Sequence, residues 1–346
     1  MKIILITGGP SAEREVSIAS SKSILNALRS SGHSVRVVDP IYGTRVMNEA
    51  DIFGDVLGKN SPSVQKLEEI HKTSNRNILN CINSDIFDNA DLAFLGVHGK
   101  FGEDGRIQTL LELRGINYTG SGVFASALAM DKDVTKVILN AGGILTPEWF
   151  SLTRTSFESP DILNEKINKI TGYPCVVKPN DEGSTVGLSI VQPDVEDIKL
   201  PEAVDLAFQY SEKVLIEKFV KGRELTVPVI GNEAFPVIEI RPKDGFYDYE
   251  HKYTKGMTEY FCPADIPVKI YEEAKKVAVK AHEALGCSVY SRVDFILDDN
   301  NDLYCLEVNT LPGMTETSLV PKSASANGMS FNQLIDKIIE LSLQKK

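Results

Sequence analysis

Residues 291–315, SRVDFILDDNNDLYCLEVNTLPGMT, constrain the chain more than any other stretch. Two runs rich in β-branched and aromatic residues, Arg292–Leu297 and Leu303–Asn309, flank Asp299-Asn300-Asn301-Asp302, which is turn chemistry. The pattern predicts a hairpin. If those four residues form its loop, Asp298 lies opposite Leu303, Asp294 opposite Glu307 and Arg292 opposite Asn309, all on one face. A register one residue different would separate Asp294 from Glu307, so the reading depends on loop length. Three oxygen donors without His or Cys suit a hard divalent cation, Mg2+ or Mn2+, and two packed carboxylates need a cation to stay ionised. The alternative is an exposed acidic strand pair, but both acids sit in runs too apolar for a solvated edge. Beyond the hairpin the chain turns through Asn309–Met314, where Gly313 could offer a backbone N–H to a ligand.

The sequence before the hairpin predicts an α/β protein of two or three domains. Its 346 residues are 42% hydrophobic and 25% charged, ordinary for a globular chain. A net charge of −11 argues against a nucleic-acid partner. Cys81, Cys175, Cys262, Cys287 and Cys305 are scattered without CxxC spacing, and read as buried thiols in a reducing, cytoplasmic compartment. Met1–Gly9 reads as a first strand rather than a signal peptide. No run approaches the length needed to cross a bilayer, so no membrane is expected.

Lys2–Thr7 is a buried parallel strand feeding a helix, with Ser11 the expected N-cap and Glu13 and Glu15 in the first turn. Gly8–Glu13 lacks G-x-G-x-x-G spacing, and Glu13 reads equally as a first-turn acid or a ligand-binding group. Residues 41–80 look like a long loop with one helix near Val64–Lys72. Asp91–Val97 is a strand that delivers His98 to its carboxyl end, the edge where open α/β sheets bind ligands. Helices are expected over Arg106–Arg114 and Val123–Asn140, the latter interrupted near Asp131-Lys132. Lys178 sits in the strand PCVVKP, and the following loop, Asn180–Gly187, could fold over phosphates with Lys178 as a point charge. It is no P-loop, which needs G-x-x-x-x-G-K-[ST]. Glu217 and Lys218 are embedded in another strand, with Glu224 beyond it. Residues 243–256 form a long polar-aromatic loop of the kind that covers active sites, and carry Lys252 and Tyr253.

In order along the chain, GGPSAEREVS, GVHGKFGEDG, YTGSGVFASALAMDK, VVKPNDEGSTVG, VLIEKFVKGRE, FYDYEHKYTKG, SRVDF and LEVNTLPGMTETSLVP resemble the D-alanine–D-alanine ligases of the ATP-grasp superfamily. The resemblance runs from Met1 to Leu343. It implies a three-domain ATP-grasp architecture with a Rossmann-like N-terminal domain (1–121), a central lid (122–213) and a C-terminal catalytic domain (214–346). By this resemblance two D-alanine molecules are joined through a D-alanyl phosphate, with ATP and two Mg2+ or Mn2+ ions, for peptidoglycan precursors. Lys132, Lys178 and Lys252 match phosphate contacts, Glu217 and Lys218 the adenine-side strand, and Glu224 the ribose acid. Asp294, Glu307 and Asn309 match the metal ligands, while Arg292 and the Gly313 N–H match the oxyanion donors. Glu13 matches the anchor of the first D-alanine's ammonium, with Ser184 and Tyr253 as its partners, and His98 is a further substrate-site candidate. Ser318 and Leu319 match contacts to the second amino acid's carboxylate. A homodimer is expected. The rival readings are a ligase for D-lactate or D-serine, another carboxylate–amine ligase, and a regulatory nucleotide binder. The last is disfavoured because no metal ligand and no Arg292 is lost.

Overall fold

A computed structural model describes residues 1–54, 64–157, 159–192, 199–243, 256–315 and 318–345. The expected cover loop, with Lys252 and Tyr253, lies almost wholly outside them.

The chain begins with β1 (Lys2–Ile6), α1 (Arg14–Ser30) and β2 (Ser34–Val38). The helices α2 (Glu49–Ile52) and α3 (Val64–Ile82), the strand β3 (Leu92–Leu95) and α4 (Arg106–Leu113) follow. β2 and β3 flank β1 in parallel, as the unbroken apolar runs predict for a strand covered on both faces. Two local expectations change. Glu13, not Ser11, takes the N-cap position of α1, while the Ser11 hydroxyl donates to the His98 carbonyl at 2.6 Å and accepts from the Glu13 N–H at 3.2 Å. The helix expected to end near Lys72 continues to Ile82. Its inward face passes from Leu67 through Ser74 to Ile78 and Cys81, all buried, and the polar Ser74 hides the period from a hydropathy reading.

Next come α5 (Val123–Met130), α6 (Lys132–Ala141), β4 (Trp149–Thr153), α7 (Pro160–Ile170), β5 (Cys175–Pro179), β6 (Ser189–Val191), α8 (Leu200–Phe208) and β7 (Lys213–Lys218). The second sheet is antiparallel in the order β4-β7-β5-β6, packed on α7 and α8 through Leu163, Ile167, Val204 and Ala207. The break in the helix near Asp131 is real: the Asp131 carboxylate accepts from the Val134 N–H at 3.0 Å and starts α6 afresh.

The remaining elements are β8 (Gly222–Ile230), β9 (Glu233–Ala234), β10 (Ile238–Pro242), β11 (Thr258–Phe261), α9 (Val268–Ala284), β12 (Tyr290–Asp298), β13 (Leu303–Asn309), α10 (Leu319–Ala326) and α11 (Phe331–Gln344). The third sheet runs β11-β10-β8-β12-β13, with β9 beside β8. β7 pairs with β4 and β5, whereas Ala129 and Leu139 of α5 and α6 join the core under the third sheet. From the other end of the chain, Leu334, Ile335 and Ile338 of α11 complete the core of the first sheet.

The hairpin register is also corrected. Leu297 pairs with Leu303, and Asp298 closes the turn through Asn301 and Asp302, so the loop is one residue longer than four and Asp298 does not face Leu303. The pairing then shifts between Asp294 and Phe295: Phe295 faces Cys305, but Asp294 faces Glu307 and Arg292 faces Asn309. Leu306 is the extra residue of a β-bulge. Without it, the parity that buries Leu303 and Cys305 would bury Glu307 and Asn309 too. The bulge turns both to the open face and gives Val308 to the core.

Candidate active site

The open face of the third sheet carries Glu224 and Thr226 on β8, Arg292 and Asp294 on β12, and Glu307 and Asn309 on β13. Arg292 grips Asp294 with two charge-assisted bonds, Nε at 2.9 Å and Nη2 at 2.7 Å. Thr226 donates to the same carboxylate at 2.5 Å, and Asn309 Nδ2 reaches it at 3.0 Å and Glu307 at 3.4 Å. Lys132 Nζ lies 3.5 Å from Glu307. Two carboxylates are thus held together by positive and amide groups, which is the electrostatic setting a hard cation would complete. Among the described residues no three His, Cys, Asp or Glu side chains form a metal cluster. The further oxygen-bearing side chain beside the two carboxylates is the Asn309 carboxamide, whose Nδ2 donates to both of them here.

On one side the cleft is lined by Val176, Pro179, Leu188, Phe219 and Ile296, a slot for a flat apolar group. Lys178 of β5 and Glu217 of β7 meet in its wall within hydrogen-bond distance, both buried. Lys136, which the sequence reading missed, approaches the other oxygen of Glu217 at 2.8 Å. Burial alone would raise the Glu217 pKa, but the two lysines outweigh it and hold it near about 2. Lys218 is exposed at the rim beside Glu148, and Glu224 lines both halves of the cleft.

On the other side, Glu13 accepts a hydrogen bond from Ser184, joining α1 to the loop after β5. A Cβ on Gly183 would come within 2.5 Å of Glu13 Oε2, and one on Gly99 within 2.9 Å. Gly99 also has a φ of +70°, which favours glycine, whereas at Gly183 it is the flexible end of Glu13 that would have to give way. Beside Glu13 lies Glu103, also missed from sequence. Its oxygens accept from Gly99 N at 2.9 Å and Leu311 N at 3.4 Å. Burial, helped by the charge of Glu13, lifts its pKa to about 8. His98 is buried with Nδ1 2.7 Å from the Leu311 carbonyl and Nε2 2.9 Å from Ser20 Oγ. Ser20 Oγ in turn accepts the Met314 N–H at 3.2 Å. Burial lowers the His98 pKa, so the ring is neutral, Nδ1–H donates, and His98 straps the loop after β13 to the first sheet. Gly313 lies on that loop, and Ser318 and Leu319 begin α10 with its N-terminus at the cleft, where the dipole favours an anion. The structure thus gathers Glu13, His98, Lys132, Ser184, Arg292, Asp294, Glu307, Asn309, Gly313, Ser318 and Leu319 around one cavity, and Lys178, Glu217 and Lys218 around the slot that shares its wall.

A cleft between the second and third sheets, beside a parallel first sheet, defines the ATP-grasp class of architecture. The family description D-ala D-ala ligase N-terminus matches residues 2–121, and D-ala D-ala ligase C-terminus matches residues 138–340. The chain is 42% identical to a D-alanine–D-alanine ligase of Syntrophotalea carbinolica, over 98% of this chain and 95% of the relative. It is 40% identical to one of Halalkalibacterium halodurans over the whole of both. The crystal structure of D-alanine–D-alanine ligase from Bacillus anthracis is similar, with a TM-score of 0.76, 35% identity and coverage of 99% and 98%. So is that of VanG D-Ala:D-Ser ligase from Enterococcus faecalis, with a TM-score of 0.77, 29% identity and coverage of 99% of each chain. The chain belongs to the D-alanine–D-alanine ligase family.

Proposed function

We propose that this protein joins two molecules of D-alanine into D-alanyl-D-alanine, converting ATP to ADP and phosphate, as a step toward peptidoglycan precursors. The observation that carries this reading is the shared wall of the cleft. Lys132, Glu224, Asp294 and Glu307 line both the apolar slot and the cavity where Glu13 waits, so a nucleotide phosphate and an amino acid carboxylate can meet there.

A carboxylate is a poor electrophile, and phosphorylation supplies a leaving group. Glu13 receives the ammonium of the first D-alanine and aims its carboxylate at the sheet face. Lys178 and Lys132 draw the ATP phosphates in, Glu217 and Lys218 border the adenine, and Glu224 meets the ribose. Asp294, Glu307 and Asn309 would hold Mg2+ or Mn2+, two ions by the family resemblance; bound there, the cations supply positive charge to the phosphate oxygens. Arg292 and the Gly313 N–H receive the oxyanion as the second D-alanine's amine attacks, an effect worth about 3–4 kcal/mol per donor. Ser318 and Leu319 hold the second carboxylate at the start of α10, and neutral His98 keeps that loop seated. Lys252 and Tyr253 are assigned to phosphate and to Glu13–Ser184 by the resemblance alone. The active form is a homodimer in the cytoplasm, a location that fits the five free cysteines.

The test is ADP release by the purified chain with D-alanine, L-alanine, or D-alanine mixed with D-serine or D-lactate. D-alanine alone should support turnover and L-alanine should not. Preferred formation of D-alanyl-D-serine or of the D-lactate depsipeptide would overturn the substrate assignment while leaving the ligase chemistry in place.

A further inference from the structure

Lys136 is fully buried, a rare state for a lysine, and lies one helical turn beyond Lys132 on α6. Its ammonium donates to Thr146 Oγ1 at 2.7 Å and to the Pro147 carbonyl at 3.3 Å, and sits 5.4 Å from the centre of the Trp149 ring. Among the described residues its charged partner is Glu217, whose Oε2 lies 2.8 Å away in an ion pair. Glu217 is shared with Lys178, whose ammonium faces the slot. Burial pulls the Lys136 pKa down and Glu217 opposes that pull.

Two lysines around one carboxylate leave the cluster with one net positive charge, and that count is what a phosphate needs. Were Glu217 paired with Lys178 alone, the pair would be neutral and the carboxylate would draw Lys178 back into the wall. A second cation behind Glu217 prevents both. Stability does not explain the arrangement, because a buried ion pair is no better for folding than an apolar side chain of the same size. We propose that Lys136 is a positioning residue for the nucleotide: by offsetting Glu217 from behind, it leaves Lys178 charged and placed for the phosphates of ATP.

The inference rests on the ligase reading, and the test separates the two. If the wild type releases no ADP with D-alanine, that reading fails first. If it does, Lys136→Met removes the charge at similar volume. The KM for ATP should rise about tenfold, with the KM for D-alanine and kcat changed less than about threefold. Trp149, the sole tryptophan, should shift its emission as the cation leaves its ring. Because Lys136 acts through Glu217, adding Lys136→Met to Glu217→Gln should change the KM for ATP by less than about twofold. An unchanged KM for ATP in Lys136→Met with only a lower Tm would overturn the proposal, as would an equal tenfold effect in both backgrounds. If Lys136→Met does not fold, the double variant, which buries no unpaired carboxylate, is compared with Glu217→Gln alone. Equal KM values support the proposal, and a tenfold gap overturns it.

Discussion

Glu307 and Glu103 are carboxylates lining one cavity, in different surroundings. Glu307 lies beside Lys132 and the Asn309 amide, on the face that also carries Asp294. Glu307→Gln should keep D-alanine binding yet lose cation-dependent turnover by on the order of a hundredfold or more, since an amide cannot offset cation charge. Titrating ADP release against Mg2+ checks this, and near-normal turnover at moderate Mg2+ would remove Glu307 from the site. Glu103 is buried, and burial with the charge of Glu13 lifts its pKa to about 8. A raised carboxyl pKa contributes stability below its unfolded value of about 4.5, and that contribution is lost as pH rises through about 8. The Tm of ligand-free Glu103→Gln, minus that of wild type, should therefore grow between about pH 5.5 and about pH 8.5. A difference independent of pH would mean that Glu103 is ionised throughout. Glu103 was not legible in the sequence as a site residue, because GEDG reads as loop chemistry. Only the fold brings Leu311, more than two hundred positions away, onto its oxygens.

At the scale of elements, the loop after β5 closes on the first sheet through Lys100. Its ammonium donates to the Tyr210 carbonyl at 2.6 Å and pairs with Glu182 at 2.9 Å and Asp181 at 3.1 Å. Burial opposes the charge on Lys100, but the two acids outweigh it and raise its pKa. Lys100→Ala should speed amide hydrogen exchange in residues 183–188 of the ligand-free protein about fivefold, the equivalent of about 1 kcal/mol. Unchanged exchange there would deny Lys100 the role of a latch. The strands that build the site were legible from their own runs, since period and turn residues are local signals. The face of Glu307 was predicted correctly from a loop count that was one residue short. The bulge at Leu306 restored the parity, and nothing in LYCLEVN marks it, because a bulge is set by what the neighbouring strand and core require. The unforeseen α8 and α10 are short, and α10 carries Pro321 in its first turn, so both lack a long apolar period.

Across the whole molecule, the two ends of the chain pack together, α11 against α1, with Asn332 Nδ2 donating to Ser30 Oγ at 3.0 Å. The first sheet, with Glu13 at the start of α1, is thereby fixed relative to β12 and β13, which carry Arg292, Asp294 and Glu307. His98 adds a second tie through Leu311. The strands of the three sheets were legible in their own runs, whereas the membership of α5, α6 and α11 was not, because hydropathy shows that a helix has an apolar face and not which sheet covers it. The step proposed for this framework is phosphorylation of the D-alanine carboxylate by ATP in the shared wall of the cleft. The direct measurement is turnover of D-alanine labelled with 18O in both carboxylate oxygens, followed by mass analysis of the phosphate released. An acyl phosphate intermediate transfers one labelled oxygen from each activated D-alanine to inorganic phosphate, with ADP as the nucleotide product. Unlabelled phosphate, or label appearing in AMP, would contradict that step.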